Sequence, residues 1–478
     1  MDVITAEVAI IGAGSAGMRA YREVTKVTDN VLLIEGGPYG TTCARVGCMP
    51  SKLLIAAAEA AHAGRSADPF GVTFGAPQID GAAVMKRVRE ERDRFVGHVV
   101  AAVEDWPDRH RIKAMATFRS DHELALDDGR IVRADRIVIA TGSRTNILPF
   151  FHEFGDRMIV NDDVFDWHDL PGSVAVFGAG VIGLELGQAL HRLGVRVRLF
   201  GRDHLVGPLG DPEVRDKALE IFTGALDFLP HAEVKRRACT ETGVQVDWDE
   251  DGTTRTEDFA YALIATGRRP NVDTLGLENT TLERDRRGIP VYDVHTGQCG
   301  DSPIFIAGDA NDRFPLLHES ADEGMAAGYN AARFPEVRRF AKSTPISVVF
   351  TDPQIAMVGE TYRDLTERDA DFTAAGFDWS GQGRARVMRV NEGLLRMYGD
   401  RNTGKLLGAE MIGPASEHIA HLLAWSIQSN LTVDEMLERP FYHPTLEEGV
   451  RTALRRLNHA MQMGPAFPPR CLDCGPGS

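Results

Sequence analysis

Two stretches of this chain repeat one demanding pattern: an apolar strand, three glycines spaced Gly-x-Gly-x-x-Gly, a helix and a second apolar strand. The first runs through residues 7–11, Gly12-Ala13-Gly14-Ser15-Ala16-Gly17, a helical stretch, and residues 31–34 closed by Glu35. Its apolar runs read as buried parallel strands. Gly12 allows a tight turn, Gly14 lets the backbone approach a diphosphate, and Gly17 lets helix and sheet pack closely. Free N–H groups at the helix start hold the diphosphate. Glu35, 18 residues after Gly17, is spaced to accept from a ribose hydroxyl. A lone Gly-x-Gly-x-x-Gly is weak; all these parts in register indicate dinucleotide binding.

The second copy runs through residues 174–177, Gly178-Ala179-Gly180-Val181-Ile182-Gly183, a helix over 184–193 stopped by Gly194, and a strand over 195–200. Two units imply two dinucleotides, a flavin and a nicotinamide hydride carrier. The copies differ at the end of the second strand. Where the first has Glu35, the second has Gly201 followed by Arg202. Loss of the acid removes repulsion of a 2′-phosphate, and the arginine can pair with one, so NADPH is favoured over NADH. Two further strands end alike, 136–140 before Thr141-Gly142 and 262–265 before Thr266-Gly267. A strand over 304–307 ends in Gly308-Asp309, whose carboxylate either caps a helix or bonds a cofactor hydroxyl.

Composition narrows the partners. The 478 residues carry a net charge of −16, which argues against nucleic acid and anionic membrane surfaces. No apolar run approaches membrane-spanning length, and no basic segment precedes the first apolar stretch, so a cytoplasmic protein is expected. Six cysteines do not make a disulfide scaffold in a chain this long. Their placement matters more. Cys43 and Cys48 lie close together, Cys239 and Cys299 stand alone as simple thiols, and Cys471 and Cys474 lie near the C-terminus.

A close pair such as Cys43 and Cys48 suggests metal or redox chemistry. No second Cys or His pair is nearby, so no metal site is expected and the redox reading leads. Five positions along a regular helix exceed the usual disulfide Cα–Cα limit of roughly 7 Å, so the helix must break, and Gly47 permits it. Pro50 suits the first turn of the next helix, where a thiolate is stabilised. Near the other end, His443-Pro444 offers a group titrating in the range that thiol exchange needs, with Glu448 spaced to orient the ring.

In these residues taken together, the chain resembles the flavin-dependent pyridine nucleotide–disulfide oxidoreductases, most closely the dihydrolipoamide dehydrogenases. The residues that carry the resemblance are Gly12 to Gly17 with Glu35; Cys43 to Cys48 with Pro50 and Lys52; and Gly178 to Gly183 with Glu185. Thr266 to Asn271, Ala307-Gly308-Asp309, and His443-Pro444-Thr445 with Glu448 complete the set. The resemblance implies an α/β protein with two Rossmann-like dinucleotide-binding domains and a C-terminal α+β dimerisation domain. It implies FAD on Gly12, Gly14, Gly17, Glu35, Thr42, Lys52, Thr141, Gly142 and Asp309. NAD(P) would lie on Gly178, Gly180, Gly183, Arg202 and Gly267. Lys52 and Glu185 would pair beside the flavin, Cys48 would be the flavin-proximal thiol, and Cys43 the thiol that meets substrate. His443 and Glu448 would serve the partner subunit of a homodimer.

On the same ground, residues 1–145 and 272–342 would form the FAD part, 146–271 the NAD(P) domain, 343–460 the interface domain and 461–478 a flexible tail. The expected reaction is dihydrolipoyl dehydrogenase chemistry, with a lipoyl-carrying protein or small disulfide as partner. The alternative is an NADPH-dependent disulfide or mercuric-ion reductase, for which Cys471 and Cys474 would be an auxiliary pair. Arg19 and Arg22 could offer charge to an anionic disulfide, though a solvated helix surface explains them as well. Thr41 and Phe441 depart from the family, standing where a glycine and a histidine are usual. Residues 104–111 read as a solvated polar loop, and the five tryptophans as packing.

Overall fold

The computed structural model describes residues 2–250 and 252–462. The expected tail and its two cysteines lie outside the described residues, apart from Met461 and Gln462.

Two sheets with parallel cores form the scaffold, the first carrying an antiparallel pair at one edge, Ala116–Ser120 and Glu123–Leu126. In the first, Val3–Ile11 lies between Val31–Ile34 and Ile131–Ile139, all in parallel register. Ile304–Ile306 adds parallel to Ile131–Ile139, so a segment far along the chain returns to complete this sheet. In the second, Ser173–Phe177 lies between Arg196–Phe200 and Tyr261–Ile264, again parallel. Met158–Ile159 and Phe228–Leu229 form its edges. Val31–Ile34 and Ser173–Phe177 are buried at every position, as befits parallel strands covered on both faces. Ser15–Val24 and Val181–Arg192 are the helices that follow the two glycine turns.

The C-terminal part is an antiparallel five-stranded sheet, ordered Ile346–Val349, Gln354–Gly359, Leu406–Gly413, Leu394–Asp400, Phe372–Asp378. Helices Ser416–Gln428 and Glu448–Met461 share its apolar core. Two buried carboxylates join this sheet to the second unit. Asp211 caps helix Pro212–Ala225 and accepts from Tyr398 Oη at 3.0 Å and Arg396 Nε at 3.2 Å. Glu410 accepts the Gly210, Asp211 and Tyr362 N–H groups. Burial pushes the Glu410 carboxyl upward, and these three donors offset the cost of placing it there.

Two expectations are corrected. The 104–111 stretch is not simply solvated: His110 is buried and bonds Tyr21 Oη at 2.8 Å, while Trp106 stacks on Tyr21 at 4.0 Å. Trp425 is not packed within the chain but 70% exposed, on the outer side of Ser416–Gln428. Among the described residues, no helix is long and apolar enough to cross a membrane.

Candidate active site

The two glycine turns have nearly the same geometry. Gly12 has φ of 107°, and a Cβ there would sit 2.3 Å from the Ala140 carbonyl oxygen. Gly178 has φ of 110°, and its Cβ would sit 2.4 Å from the Ala265 carbonyl oxygen. No side chain fits either position. At Gly17 and Gly183 a Cβ would collide with the carbonyl oxygens of Gly12 and Gly178, at 1.8 and 1.9 Å. At Gly14 and Gly180 there is open space. Each turn is thus closed where helix meets sheet and open where a diphosphate would lie, at the N-terminus of a helix.

The surroundings of the cradles differ. Around the first, both Glu35 carboxylate oxygens accept backbone N–H groups at 2.7 Å, Oε2 from Ala13 and Oε1 from Gly37. Asp309 accepts from Ser143 Oγ at 2.6 Å and Ser320 Oγ at 3.2 Å. Beside Gly142, the Thr141 hydroxyl is buried with no partner among the described residues, a polar atom placed for a bound group. Its counterpart Thr266 donates instead to the Asn146 carbonyl at 2.7 Å, and the Asn146 N–H reaches the carbonyl of Gly267. At the end of the second cradle, Gly201 is wedged in. A Cβ there would lie 2.9 Å from the Phe228 ring and 3.0 Å from the Pro230 carbonyl oxygen. Arg202 is 80% exposed and pairs with Asp203 at 3.0 Å.

The dithiol follows the first unit. Thr42–Val46 is a short helix, capped by Thr41 Oγ, which accepts the Ala44 N–H at 3.2 Å. The departure from glycine at 41 therefore supplies a cap. The chain breaks at Gly47, and an 18-residue helix, Cys48–Arg65, starts on the second cysteine. This is the break that the cysteine spacing demands. Pro50 enforces it, since its ring cannot share one helix with the Val46 carbonyl four residues back. Both thiols are free, Cys48 exposed and Cys43 half-buried. The Cys43 thiol hydrogen-bonds Cys48 and, with Lys52 nearby, draws the Cys48 thiol down to about 7 against the opposing effect of burial. The same bond, with burial, pushes Cys43 up. Lys52 Nζ contacts the Glu185 carboxylate at 2.7 and 2.9 Å across 133 residues of sequence. Glu185 Oε1 also accepts the Phe350 N–H at 2.9 Å.

The third group stands apart. His443 Nδ1 lies 2.9 Å from Glu448 Oε1, and Glu448 Oε2 accepts the Thr445 N–H at 3.1 Å. Glu448 is buried at the head of its helix, while the His443 side chain is 54% exposed. Among the described residues, no hydrogen bond links His443 to Cys43 or Cys48 within the chain. The structure therefore brings together Cys43, Cys48, Lys52 and Glu185, and separately His443 with Glu448. Thr42 is exposed on the first turn of its short helix. Sequence reasoning missed Asn161, a buried side chain bonded to the Val46 carbonyl; within the polar run 161–163 nothing marks it.

Residues 6–324 match the family described as pyridine nucleotide-disulphide oxidoreductase, and residues 345–454 match its dimerisation domain. Dihydrolipoyl dehydrogenase 2 of Haloarcula marismortui is 31% identical over 474 residues, covering 95% of this chain and 97% of that protein. Dihydrolipoyl dehydrogenase of Geobacillus stearothermophilus is 29% identical, covering 93% and 94%. Among solved structures, LpdA from Mycobacterium tuberculosis shares the fold with TM-score 0.78 at 24% identity, covering 96% of this chain and 100% of that one. The copper(II) complex of the HOCl-induced flavoprotein disulfide reductase RclA from Escherichia coli has TM-score 0.77 at 24% identity, covering 94% and 99%.

Proposed function

The chain belongs to the pyridine nucleotide–disulphide oxidoreductase family, and we propose that within it the chain is a dihydrolipoyl dehydrogenase. The family uses FAD and NAD(P), and both cradles fit a dinucleotide. Bound on the first, FAD would supply the two-electron chemistry that links nicotinamide to the dithiol. The residues proposed to hold it are Gly12, Gly14, Gly17, Glu35, Thr42, Lys52, Thr141, Gly142 and Asp309. Those for the nicotinamide cofactor are Gly178, Gly180, Gly183, Arg202 and Gly267.

The observation that carries the reading is the pair of thiols on opposite sides of the Gly47 break, with their acidities driven apart. Cys48 starts a long helix beside Lys52 and is the stable thiolate, hence the good leaving group. Cys43 is the interchange thiol. In the oxidised enzyme, one substrate thiolate attacks Cys43 Sγ and expels Cys48 as thiolate. The second substrate sulfur then attacks its neighbour in the mixed disulfide and expels Cys43, which takes up a proton. His443, held by Glu448, accepts the proton from the substrate thiol and returns it to Cys43. Because the His443–Glu448 pair sits on the dimerisation domain and makes no hydrogen bond to its own dithiol among the described residues, it serves the partner subunit of a homodimer. The cytoplasm, where a dithiol is not locked oxidised, is the compartment in this reading.

Cys43→Ser should abolish lipoamide turnover while FAD stays bound; normal turnover in that variant would sink the assignment. His443→Ala should lose roughly 100-fold in turnover, with flavin reduction by NAD(P)H nearly unchanged. The long-wavelength thiolate–flavin absorbance of the reduced enzyme should fade as pH drops through about 7, because the lowered Cys48 keeps its charge only above that value. Cys43→Ala removes the leading cause of the lowering and should move that titration upward.

A second reading, an NADPH-dependent disulfide or mercuric-ion reductase, is supported by Gly201 and Arg202 at the second cradle. Steady-state assays of NADH and NADPH against lipoamide, oxidised glutathione and mercuric ion separate the two.

A further inference from the structure

The Val46 carbonyl is the last before the break between the two cysteines. In a continuous helix it would accept from the N–H four residues on, but residue 50 is proline and has none. Asn161 fills that place from another domain. Its Nδ2 donates to the Val46 carbonyl at 2.8 Å and to Asp162 Oδ1 at 2.9 Å. Its Oδ1 accepts from Thr145 Oγ1 at 3.2 Å. The Asn161 side chain is buried and its bonds are partly so, which makes them costly to lose. Asn161 begins a short helix just after Met158–Ile159, the edge strand of the second sheet. The dithiol loop is thereby tied to the framework of the nicotinamide domain.

We propose that Asn161 is a positioning residue for the Cys43–Cys48 pair: by holding the Val46 carbonyl it fixes the helix break that brings the thiols together, and so sets the balance between dithiol and disulfide. A disulfide tolerates only a narrow Cα separation. Freeing the Val46 carbonyl lets the Cys43 turn drift from the Cys48 helix, which penalises the disulfide more than the separate thiols. The balance should shift toward dithiol.

The test equilibrates the holoenzyme with glutathione buffers, in which enzyme disulfide and two glutathione thiols exchange for enzyme dithiol and one oxidised glutathione. Asn161→Ala should change this equilibrium about tenfold, roughly 30 mV for a two-electron couple. It should also lower kcat for dihydrolipoamide oxidation, with the rate of flavin reduction by NAD(P)H unchanged. An equilibrium within twofold of wild type would overturn the proposal. Should Asn161→Ala fail to fold, Thr145→Val decides. It leaves Asn161 in place but removes the hydroxyl that orients its amide. A shift of about threefold in the same direction supports the proposal, and an unchanged equilibrium overturns it. The inference rests on the dithiol reading, and the two fail differently. Full turnover in Cys43→Ser removes the reading; an inactive Cys43→Ser with an unmoved Asn161→Ala equilibrium removes only the inference.

Discussion

The first and second glycine turns agree within 0.1 Å in the closest contacts that forbid a side chain at their first and third glycines, yet they are proposed to hold different dinucleotides. What they share is the backbone cradle. What distinguishes them lies at its edges: Glu35 tied to two backbone N–H groups against a wedged Gly201, and a Thr141 hydroxyl without a partner among the described residues against a Thr266 hydroxyl already bonded to Asn146. A glycine pattern therefore identifies a diphosphate site, while the choice of nucleotide is made by side chains at strand ends.

The most drastic way to break the symmetry is at its tightest contacts. Gly17→Ala and Gly183→Ala each press a Cβ onto a carbonyl oxygen less than 2 Å away, which neither backbone can absorb without moving its turn. Gly17→Ala should purify without flavin. Gly183→Ala should stay yellow but lose at least roughly 100-fold in flavin reduction by NAD(P)H, about 2.7 kcal/mol of nucleotide positioning. Flavin content and stopped-flow reduction read the two effects. Loss of flavin from Gly183→Ala would show that the two cradles are not independent.

A finer comparison uses the two threonines. Thr141→Val removes a buried hydroxyl that has no partner among the described residues, so the apoprotein should be no less stable, while FAD affinity falls about tenfold if the hydroxyl bonds the cofactor. Thr266→Val breaks a bond to the Asn146 carbonyl and should cost about 1 kcal/mol of stability with FAD affinity unchanged. Flavin titration and thermal melts separate them; equal loss of FAD affinity would mean that Thr141 has no special relation to the flavin.

Strands, glycines and the need for a helix break were legible because each follows from local sterics: buried parallel strands are continuously apolar, and two cysteines five apart cannot pair on a regular helix. Long-range partners were not. The contact of Lys52 with Glu185 joins residues 133 apart, and only the family resemblance pointed to it. Asn161 was invisible because its importance comes from a carbonyl that Pro50 leaves unpaired in another domain. Residues 104–111 misled because Glu104, Asp105, Asp108 and Arg109 are exposed while His110 and Trp106 turn inward onto Tyr21. At Gly201, the sequence reading took a missing acid as a cofactor signal. The packing against Phe228 and Pro230 shows a second, independent reason for glycine there, which lowers the weight that the absent carboxylate can bear.

Gly201→Glu cannot simply restore an NADH-type acid, since its Cβ would strike Phe228 and the Pro230 carbonyl; it should reduce stability before it changes preference. The nicotinamide choice is left to Arg202. Its side chain is 80% exposed and shares its charge with Asp203, so its attraction for a 2′-phosphate is screened by water and worth only about 1 kcal/mol. Arg202→Glu should therefore raise the KM for NADPH about fivefold, leave the KM for NADH within twofold, and leave kcat unchanged with either. The effect should shrink as salt is raised, because an exposed pair loses its attraction beyond a Debye length of about 8 Å at physiological ionic strength. An equal rise in KM for both nucleotides would place Arg202 at the diphosphate or outside the site, and the nucleotide choice would then rest on the remaining differences, at Glu35 and Thr141.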